Sequence, residues 1–452
     1  MTRKIVRHTA LIAAGAAIAA SVSCSDDSSG PKAGTIDKVS HVVVIYLENR
    51  GFDNTYGEFP GAAGLADAAS ALPQVDSAGH VYDSLPQVAG QPFPTNLANA
   101  PFDIALYVPP TVATRDLVHR FYQEQLQIDG GKMDKFVAVS DAKGLAMGYY
   151  HTSVLPMAAE AASYVLCDHF FHSAFGGSFL NHQFLIAAAP PVFPGAPTSA
   201  VAVLDTAGHL FSDGFVTPDG FAVNTSFSVN NPHPSSVPTA SLVPNQTNPT
   251  IGDRLTAAGQ SWAWYSGGWN DALAGHPAAT FQFHHQPFVY YRNFADGTQA
   301  KADHLKDETD FIAAATAGTL PAVSFVKPLG LNNEHPGYAD IITGEQHTVD
   351  LINAVRNGPN WKDAVIIVTY DENGGFWDHV APPAIDRFGL GTRTPAIIIS
   401  PFAKRGFVDK TSYESVSILA FIEKRFHIQP LTDRDRNASP LLNAFDFSLT
   451  AN

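Results

Sequence analysis

Residues Asp363 to Pro383 read DAVIIVTYDENGGFWDHVAPP. The β-branched run Val365-Ile366-Ile367-Val368 predicts a strand buried on both faces, as in the parallel sheet of an α/β protein. Tyr370-Asp371-Glu372-Asn373 ends it abruptly. Two adjacent carboxylates at the C-terminal end of such a strand stand where open α/β sheets bind ligands. Gly374 and Gly375 then let the backbone turn sharply and come close to a ligand. A polar turn after a buried strand looks the same, so this stretch alone leaves function open. A second stretch has the same design: Val39–Leu47 (VSHVVVIYL) runs into Glu48-Asn49-Arg50.

Outward from these two, short apolar runs at Tyr164–Cys167, Ser261–Ser266, Ala322–Val326 and Ala396–Ser400 predict further strands. Helical patterns cover Thr114–Val139 (with Leu117, Phe121 and Leu126 on one face), Met157–Ala162, Phe179–Ala189, Lys301–Ala315, Glu345–Val355 and Ser417–Arg425. The alternation predicts an α/β fold, a mostly parallel central sheet with helices on both faces. Residues 57–110 and 190–250 lack periodicity and are rich in Gly, Pro, Ala, Asn, Ser and Thr. They read as loop excursions, uncommon at this length unless they serve a site. No internal repeat or linker divides the chain, so residues 38–452 are expected to form a single catalytic domain.

Of the 452 residues, 45% are hydrophobic and 15% charged, the balance of a globular protein. Arg3, Lys4 and Arg7 precede an apolar segment, Leu11–Ala20, so residues 1–23 read as a signal peptide. Ser21-Val22-Ser23-Cys24 resembles a bacterial lipoprotein cleavage box, with Ser21 where Leu is usual. The expected product is exported and periplasmic or held at the cell envelope by lipid on Cys24. Cleavage near Ala20 would give a soluble secreted form instead. Residues 24–37 read as a polar tether. Removing three positive charges with the leader takes the net charge from −15 to −18, which excludes nucleic-acid binding through bulk charge. Phosphate chemistry would need positive charge supplied locally, by a metal ion or a few His and Arg. Cys24 and Cys167 are the only cysteines; with lipid on Cys24, Cys167 is alone and no disulfide framework exists. Nothing in the sequence indicates an oligomeric state.

All C-terminal strand ends of a parallel sheet lie on one edge, so Glu48-Asn49 and Asp371-Glu372 can face each other there. Three carboxylates and an amide oxygen form a hard set that suits one divalent cation, Ca²⁺, Mg²⁺ or Mn²⁺ more than Zn²⁺. Crowded acids of this kind cannot all ionise without a cation between them. Gly176-Gly177-Ser178, ahead of an apolar helix, offers a nucleophile at a helix N-terminus; a plain helix-capping serine fits the same spacing. Among 18 histidines, His119, His182, His285 and His335 stand in polar, loop-rich settings where imidazole can bind phosphoryl oxygens and protonate a leaving group. His169 and His172, around Phe170-Phe171, read as structural. His379, after Trp377-Asp378, reads equally as catalytic or supporting.

These residues carry a resemblance. Tyr46-Leu47-Glu48-Asn49-Arg50-Gly51-Phe52-Asp53 resembles the opening motif of the bacterial phosphoesterase family, with Gly51 where Ser is usual. The likeness continues at His119 with Gly130-Gly131-Lys132-Met133-Asp134, at Gly177-Ser178-Phe179-Leu180-Asn181-His182, at Tyr370–His379 and at Arg393-Thr394-Pro395. That family contains non-specific phospholipases C and acid phosphatases of the respiratory-burst-inhibiting type. The resemblance implies an alkaline-phosphatase-like sandwich. It implies a metal held by Glu48, Asn49, Asp371 and Glu372, with Ser178 both ligand and nucleophile. It also implies that His119, His285 and His335 contact the phosphoryl group, with His284 able to exchange roles with His285. The phospholipase branch is longer, with added C-terminal β domains, and tends to carry Thr as nucleophile. By that comparison this chain looks more like the phosphatase branch.

The expectation is therefore an exported, metal-dependent phosphomonoesterase of acid-phosphatase type, acting on a small phosphoester through a phosphoserine. Two alternatives stay open: a phospholipase C cleaving diesters such as phosphatidylcholine, and a surface lipoprotein that binds a cation without catalysis.

Overall fold

The computed structural model describes residues 35–449. The expected signal peptide, Cys24 and the tether up to residue 34 lie outside the described residues. One eight-stranded sheet organises the rest. Its strands are β1 (His41–Leu47), β2 (Val165–Cys167), β3 (Trp262–Ser266), β4 (Leu305–Asp307), β5 (Val323–Lys327), β6 (Ala364–Tyr370), β7 (Ala396–Ile399) and β8 (Phe407–Asp409). They lie in the order β4-β3-β5-β1-β6-β7-β2-β8. Every pairing is parallel except the two made by β7, which runs against β6 and β2.

The main helices are α1 (Phe52–Thr55), α2 (Phe121–Ile128), α3 (Ser178–Ala187), α4 (Glu308–Ala317), α5 (Ile341–Arg356) and α6 (Ser417–Phe426). Alternate residues of β1 and β6 serve two separate cores, which is why both strands read as unbroken apolar runs. Val42, Val44, Tyr46, Val365 and Ile367 pack on the face covered by α3 and α6. Val43, Ile45, Leu47, Ile366 and Val368 pack on the face covered by α4 and α5.

Two expected helices are corrected. The pattern over Thr114–Val139 yields only α2 and a single turn at Phe136–Val139. Between them the chain turns at Asp129, Gly130 and Gly131, all with positive φ, and Leu126 is exposed rather than inward. His119 therefore stands on non-helical backbone ahead of α2. The helix expected over Lys301–Ala315 is split by β4, whose Leu305 and Asp307 pair with Trp264 and Ser266. Asp307 starts α4 afresh, forming a capping box with Asp310. The excursion after residue 190 contains two short ladders, Val203–Leu204 with Leu210–Ser212 and Phe227–Ser228 with Leu242–Val243.

A buried ion network ties the two strand-end loops together. The Arg393 guanidinium, fully buried, lies 2.9 Å from Asp378 Oδ1 through Nε and 3.1 Å from Asp53 Oδ1 through Nη2. Its Nη1 donates to the carbonyls of Ala63 and Asp168. Asp53 belongs to α1, just after Glu48-Asn49, and Asp378 follows Asp371-Glu372 by a few residues. His379 Nδ1 lies 2.6 Å from Asp53 Oδ2. Burial works against a charged His379, but Asp53 outweighs it and raises its pKa. Asp53, Asp378 and His379 also cluster as a metal-ligating set would, but the guanidinium already fills that role.

Removing one member of a buried ion pair leaves the others uncompensated. Arg393→Met is expected to cost about 3–5 kcal/mol in unfolding free energy, measured by urea denaturation. A loss below about 1 kcal/mol would mean that the network does not brace the loops.

Candidate active site

Leu47 pairs with Tyr370 across β1 and β6, so Glu48 and Asp371 leave adjacent strands side by side. The Asn49 amide N–H donates to Asp371 Oδ1 at 3.1 Å. Asn49 adopts φ 59°, a left-handed conformation that Asn tolerates better than most residues. Gly374, at φ +65°, passes so close that a Cβ there would sit 2.3 Å from the Asn49 carbonyl oxygen. Only glycine fits that turn. On the other side of β1, β5 ends in Lys327. Three neighbouring strand ends thus deliver Lys327, Glu48-Asn49 and Asp371-Glu372 to one buried place.

Glu48, Asn49, Asp371 and Glu372 are each no more than 1% exposed, and Lys327 is fully buried. The Lys327 ammonium contacts Glu48 Oε1, lies 3.9 Å from Asp371 Oδ2 and donates to the Leu47 carbonyl at 3.1 Å. Its Nζ is 5.2 Å from the centre of the Tyr46 ring. Burial, then the Glu48 charge, pushes Asp371 up to about 7. Burial, then Asp371, drives Glu372 well above the usual carboxylate range.

Ser178 is the first residue of α3; the cap position belongs to Gly177, which makes no side-chain bond. The capping role open to this serine is thus not the one it fills. Its Oγ donates instead to Glu48 Oε2 at 3.0 Å. Glu124, buried on α2, fixes the turn before it. Glu124 Oε2 accepts the Gly176 N–H at 2.5 Å, and Oε1 accepts the Thr392 N–H at 3.0 Å and lies 2.9 Å from His172 Nε2. Gly176 has φ +84°, and a Cβ there would meet Phe121 N at 2.4 Å, so the turn rests directly on the start of α2.

The histidines divide by their hydrogen bonds. His119 Nδ1 faces the Leu117 carbonyl, which can only accept, so this nitrogen donates. In the neutral ring Nε2 is then the acceptor for Asn49 Nδ2, 3.2 Å away. That contact leaves the Asn49 Oδ1 acceptor free. His119 Nε2 is also 3.9 Å from Glu372 Oε1. His335 Nδ1 accepts from the Gly337 N–H at 3.1 Å, which puts the proton of the neutral ring on Nε2. Its ring stacks on Tyr338, centroids 4.2 Å apart. His285 Nε2 lies 3.0 Å from Glu48 Oε1, and its ring stacks on His182. His182 bonds the Ser178 carbonyl through Nδ1 at 2.7 Å, which makes it a support of α3. Burial holds His182, His284, His285 and His335 well below the usual histidine range, with Lys327 adding to it at His182 and His285. A cleft of about 280 Å³ opens among Glu48, Ser178, His119, His284 and His335, with Asp116, Thr225 and Gln282 also on its wall.

The residues present fit a divalent cation. Asn49 Oδ1, Asp371 Oδ2 and Glu372 Oε1 are buried acceptors without a hydrogen-bond partner, a costly state unless another group meets them. Ionised Glu48, Asp371 and Glu372 against Lys327 leave a net −2, which one divalent ion would neutralise. A nitrogen-rich set, Glu48, His182 and His285, lies close by, but Lys327 already occupies the Glu48 oxygen facing His285. A third group, Asp116, His119 and His335, has Nδ1 of His335 and Nε2 of His119 engaged as acceptors.

The structure thus gathers the eight residues that the resemblance assigns to the metal and the phosphoryl group: Glu48, Asn49, Ser178, Asp371, Glu372, His119, His285 and His335. His284 joins them on the cleft wall, whereas His379 lies in the network of Asp53 and Arg393. Sequence reasoning missed Lys327 and Glu124. Lys327 closes a buried strand in a position like that of Glu48, which was a usable signal. Glu124 had none, being one acid on an apparently amphipathic helix.

The Phosphoesterase family pattern matches residues 39–429. The chain is 26% identical over 455 residues to the non-hemolytic phospholipase C of Pseudomonas aeruginosa, covering 92% of this chain and 58% of that protein. It is also 26% identical to phospholipase C A of Mycobacterium tuberculosis, covering 94% and 80%. The chain therefore spans under two thirds of the length of the Pseudomonas relative. A protein in the alkaline phosphatase superfamily from Vibrio parahaemolyticus aligns at a TM-score of 0.36 and 11% identity, over 74% of this chain and 73% of that one. With the pattern running from the start of β1 to beyond α6, the chain belongs to the phosphoesterase family.

Proposed function

We propose that this protein is a divalent-metal-dependent phosphoester hydrolase that works through Ser178, with phospholipase C-type cleavage of diesters as its main activity. The observation that carries the reading is the Ser178 hydroxyl bonded to Glu48 inside a cluster of buried oxygen donors. The named relatives are phospholipases C, and they favour the diesterase alternative over the monoesterase first expected from chain length and the choice of Ser. The expected leader and Cys24 extend the proposal to an exported enzyme held at the cell envelope.

Glu48, Asn49, Asp371 and Glu372, with Ser178 Oγ, would hold the cation, with Ca²⁺, Mg²⁺ or Mn²⁺ suited to these oxygens. When bound, it supplies Lewis-acid stabilisation of phosphoryl charge and lowers the pKa of the serine hydroxyl. Ser178 Oγ gives up its proton, for which Glu48 Oε2 is the adjacent acceptor, and attacks phosphorus. A P–O(Ser) bond forms, the P–O bond to the alcohol breaks, and the alcohol leaves with the proton that the serine hydroxyl released. Water then attacks the phosphoserine, releasing the phosphoryl product and restoring the serine hydroxyl. His335, with its Nε2–H free in the neutral ring, donates to a phosphoryl oxygen. His119 keeps the Asn49 amide turned so that Oδ1 meets the cation. Lys327 offsets one buried carboxylate throughout.

Hydrolysis of p-nitrophenyl phosphate and of p-nitrophenylphosphocholine, with and without EDTA, tests the reading. Diester turnover is expected to exceed monoester turnover and to disappear with chelator. Ser178→Ala is expected to lower kcat on the order of 10⁴-fold or more. Faster monoester turnover would restore the phosphatase reading, and no turnover of either ester with metal supplied would favour a non-catalytic cation-binding protein.

Glu124 positions the nucleophile without touching it. Glu124→Gln keeps the size but puts an amide N–H₂ against one of the backbone donors. The expected result is a kcat lowered about 10²-fold with KM changed less than threefold, since small misplacements of a reacting group carry costs of that size. Equal loss in kcat and thermal stability at every pH would reduce Glu124 to a packing residue.

A further inference from the structure

The connection from β5 to α5 carries His335, and two residues just before it fasten it to the strand ends that bear the carboxylates. The Asn333 carbonyl accepts the Glu48 N–H at 3.0 Å, and Asn333 Oδ1 accepts the His335 N–H at 3.1 Å. Glu334 Oε2 accepts the hydroxyl of Tyr370 at 2.8 Å, and Tyr370 immediately precedes Asp371. Asn333, Glu334 and Tyr370 are all buried. On its other side the His335 ring is held by the Gly337 N–H and the stacked ring of Tyr338.

The backbone at Glu334 is unusual. Its φ is 74°, a left-handed conformation that Gly or Asn takes far more readily than Glu. Gly344, in the first turn of α5, packs directly on it, since a Cβ there would stand 2.3 Å from Glu334 Cγ. A turn with no further duty would be served by a smaller residue, so the side chain is what the position accommodates. Burial, then the neighbouring Glu345, pushes Glu334 well above the usual carboxylate range, with Arg50 working against them. A neutral carboxyl still accepts from Tyr370, a role that an amide oxygen also fills. Glu345 has its own partners, accepting from the Tyr56 hydroxyl at 3.2 Å and the Met157 N–H at 2.8 Å.

We propose that Glu334 is a positioning residue: bonded to Tyr370 and seated in the left-handed turn, it sets where the His335 imidazole stands relative to Ser178 and the carboxylates. The proposal rests on the phosphoester reading and deepens it. One buried hydrogen bond then couples the acid-bearing end of β6 to the histidine that meets a phosphoryl oxygen. Glu334 touches no reacting atom and acts through His335.

The test compares kcat and KM for p-nitrophenyl esters, with metal supplied, in wild type, Glu334→Gln, Glu334→Gly, Tyr370→Phe and the double variant Tyr370→Phe/Glu334→Gly. Glu334→Gln keeps the acceptor and is expected to stay within about threefold of wild type in kcat. Glu334→Gly eases the backbone but removes the acceptor, and is expected to lower kcat about 10²-fold with KM changed less than about threefold. Tyr370→Phe deletes a single hydroxyl and carries the test if Glu334→Gly does not fold. The double variant is expected to be no worse than Glu334→Gly, because both changes cut the same bond. Wild-type kcat in Glu334→Gly, or equal losses in the Gln and Gly variants, would overturn the proposal.

A second reading needs no turnover. In protein labelled with ¹³C at histidine Cε1, the His335 resonance, assigned by its absence in His335→Asn, is displaced by the Tyr338 ring stacked on it. That displacement is expected to persist in Glu334→Gln and to be lost in Glu334→Gly. An unchanged resonance in folded Glu334→Gly would overturn the proposal. Absence of Ser178-dependent turnover in wild type would defeat the phosphoester reading by itself, while the resonance still decides whether Glu334 places His335.

Discussion

Three carboxylates that fold brings to one dry place must be neutralised there, and much of the architecture around them answers that demand. Glu48, Asp371 and Glu372 arrive together because β1 and β6 are neighbours in register, and burial strengthens every repulsion among them. Lys327, delivered by β5 on the opposite flank of β1, offsets one charge. The remaining two negative charges, with three acceptors lacking hydrogen bonds, make the place a receptor for a divalent ion. Behind it, Arg393 repeats the principle with a built-in cation, binding Asp53 and Asp378 so that the two loops carrying the acids cannot separate.

The proposed nucleophile reaches this receptor from a different direction. Ser178 enters on α3, and its Oγ is aimed by the Gly176-Gly177 turn. That turn is seated on the first residues of α2 and held by the Glu124 carboxylate. α2 thus links two parts of the chemistry, since the segment just before it carries His119 and so the orientation of the Asn49 amide. The charged cleft is small and polar, and the excursion after residue 190 is pinned to the same helix start.

Much of this was legible in the residues. β-Branched runs stopped by acids mark buried strands whose ends share an edge, and that logic located Glu48, Asn49, Asp371 and Glu372 as well as the central sheet. Gly176-Gly177-Ser178 was visible as a turn into a helix, though only the structure shows that Ser178 is not its cap, since Gly177 holds that position and the Ser178 hydroxyl bonds Glu48. What escaped depends on long-range placement. Lys327 reads as the polar end of a strand until β5 is set beside β1. Glu124 reads as a solvated helix acid until the glycine turn packs on it. The helix expected over Lys301–Ala315 failed because Leu305–Asp307 gains a partner in β3 that periodicity cannot foresee. The packing of residues 190–250 was hidden because their hydrophobic residues are scattered among prolines and asparagines and meet only after folding.

The central claim is that the Ser178 oxygen becomes covalently bonded to phosphorus during turnover. Acid quenching of the metal-loaded enzyme in the first moments of reaction with its preferred ester, followed by peptide mass spectrometry, measures this directly. The account predicts a phosphoryl or phosphocholine adduct on the peptide carrying Ser178, absent when EDTA is present from the start. Undiminished turnover with no adduct at any quench time, and ¹⁸O from solvent water entering the product by a single inverting displacement at phosphorus, would contradict it.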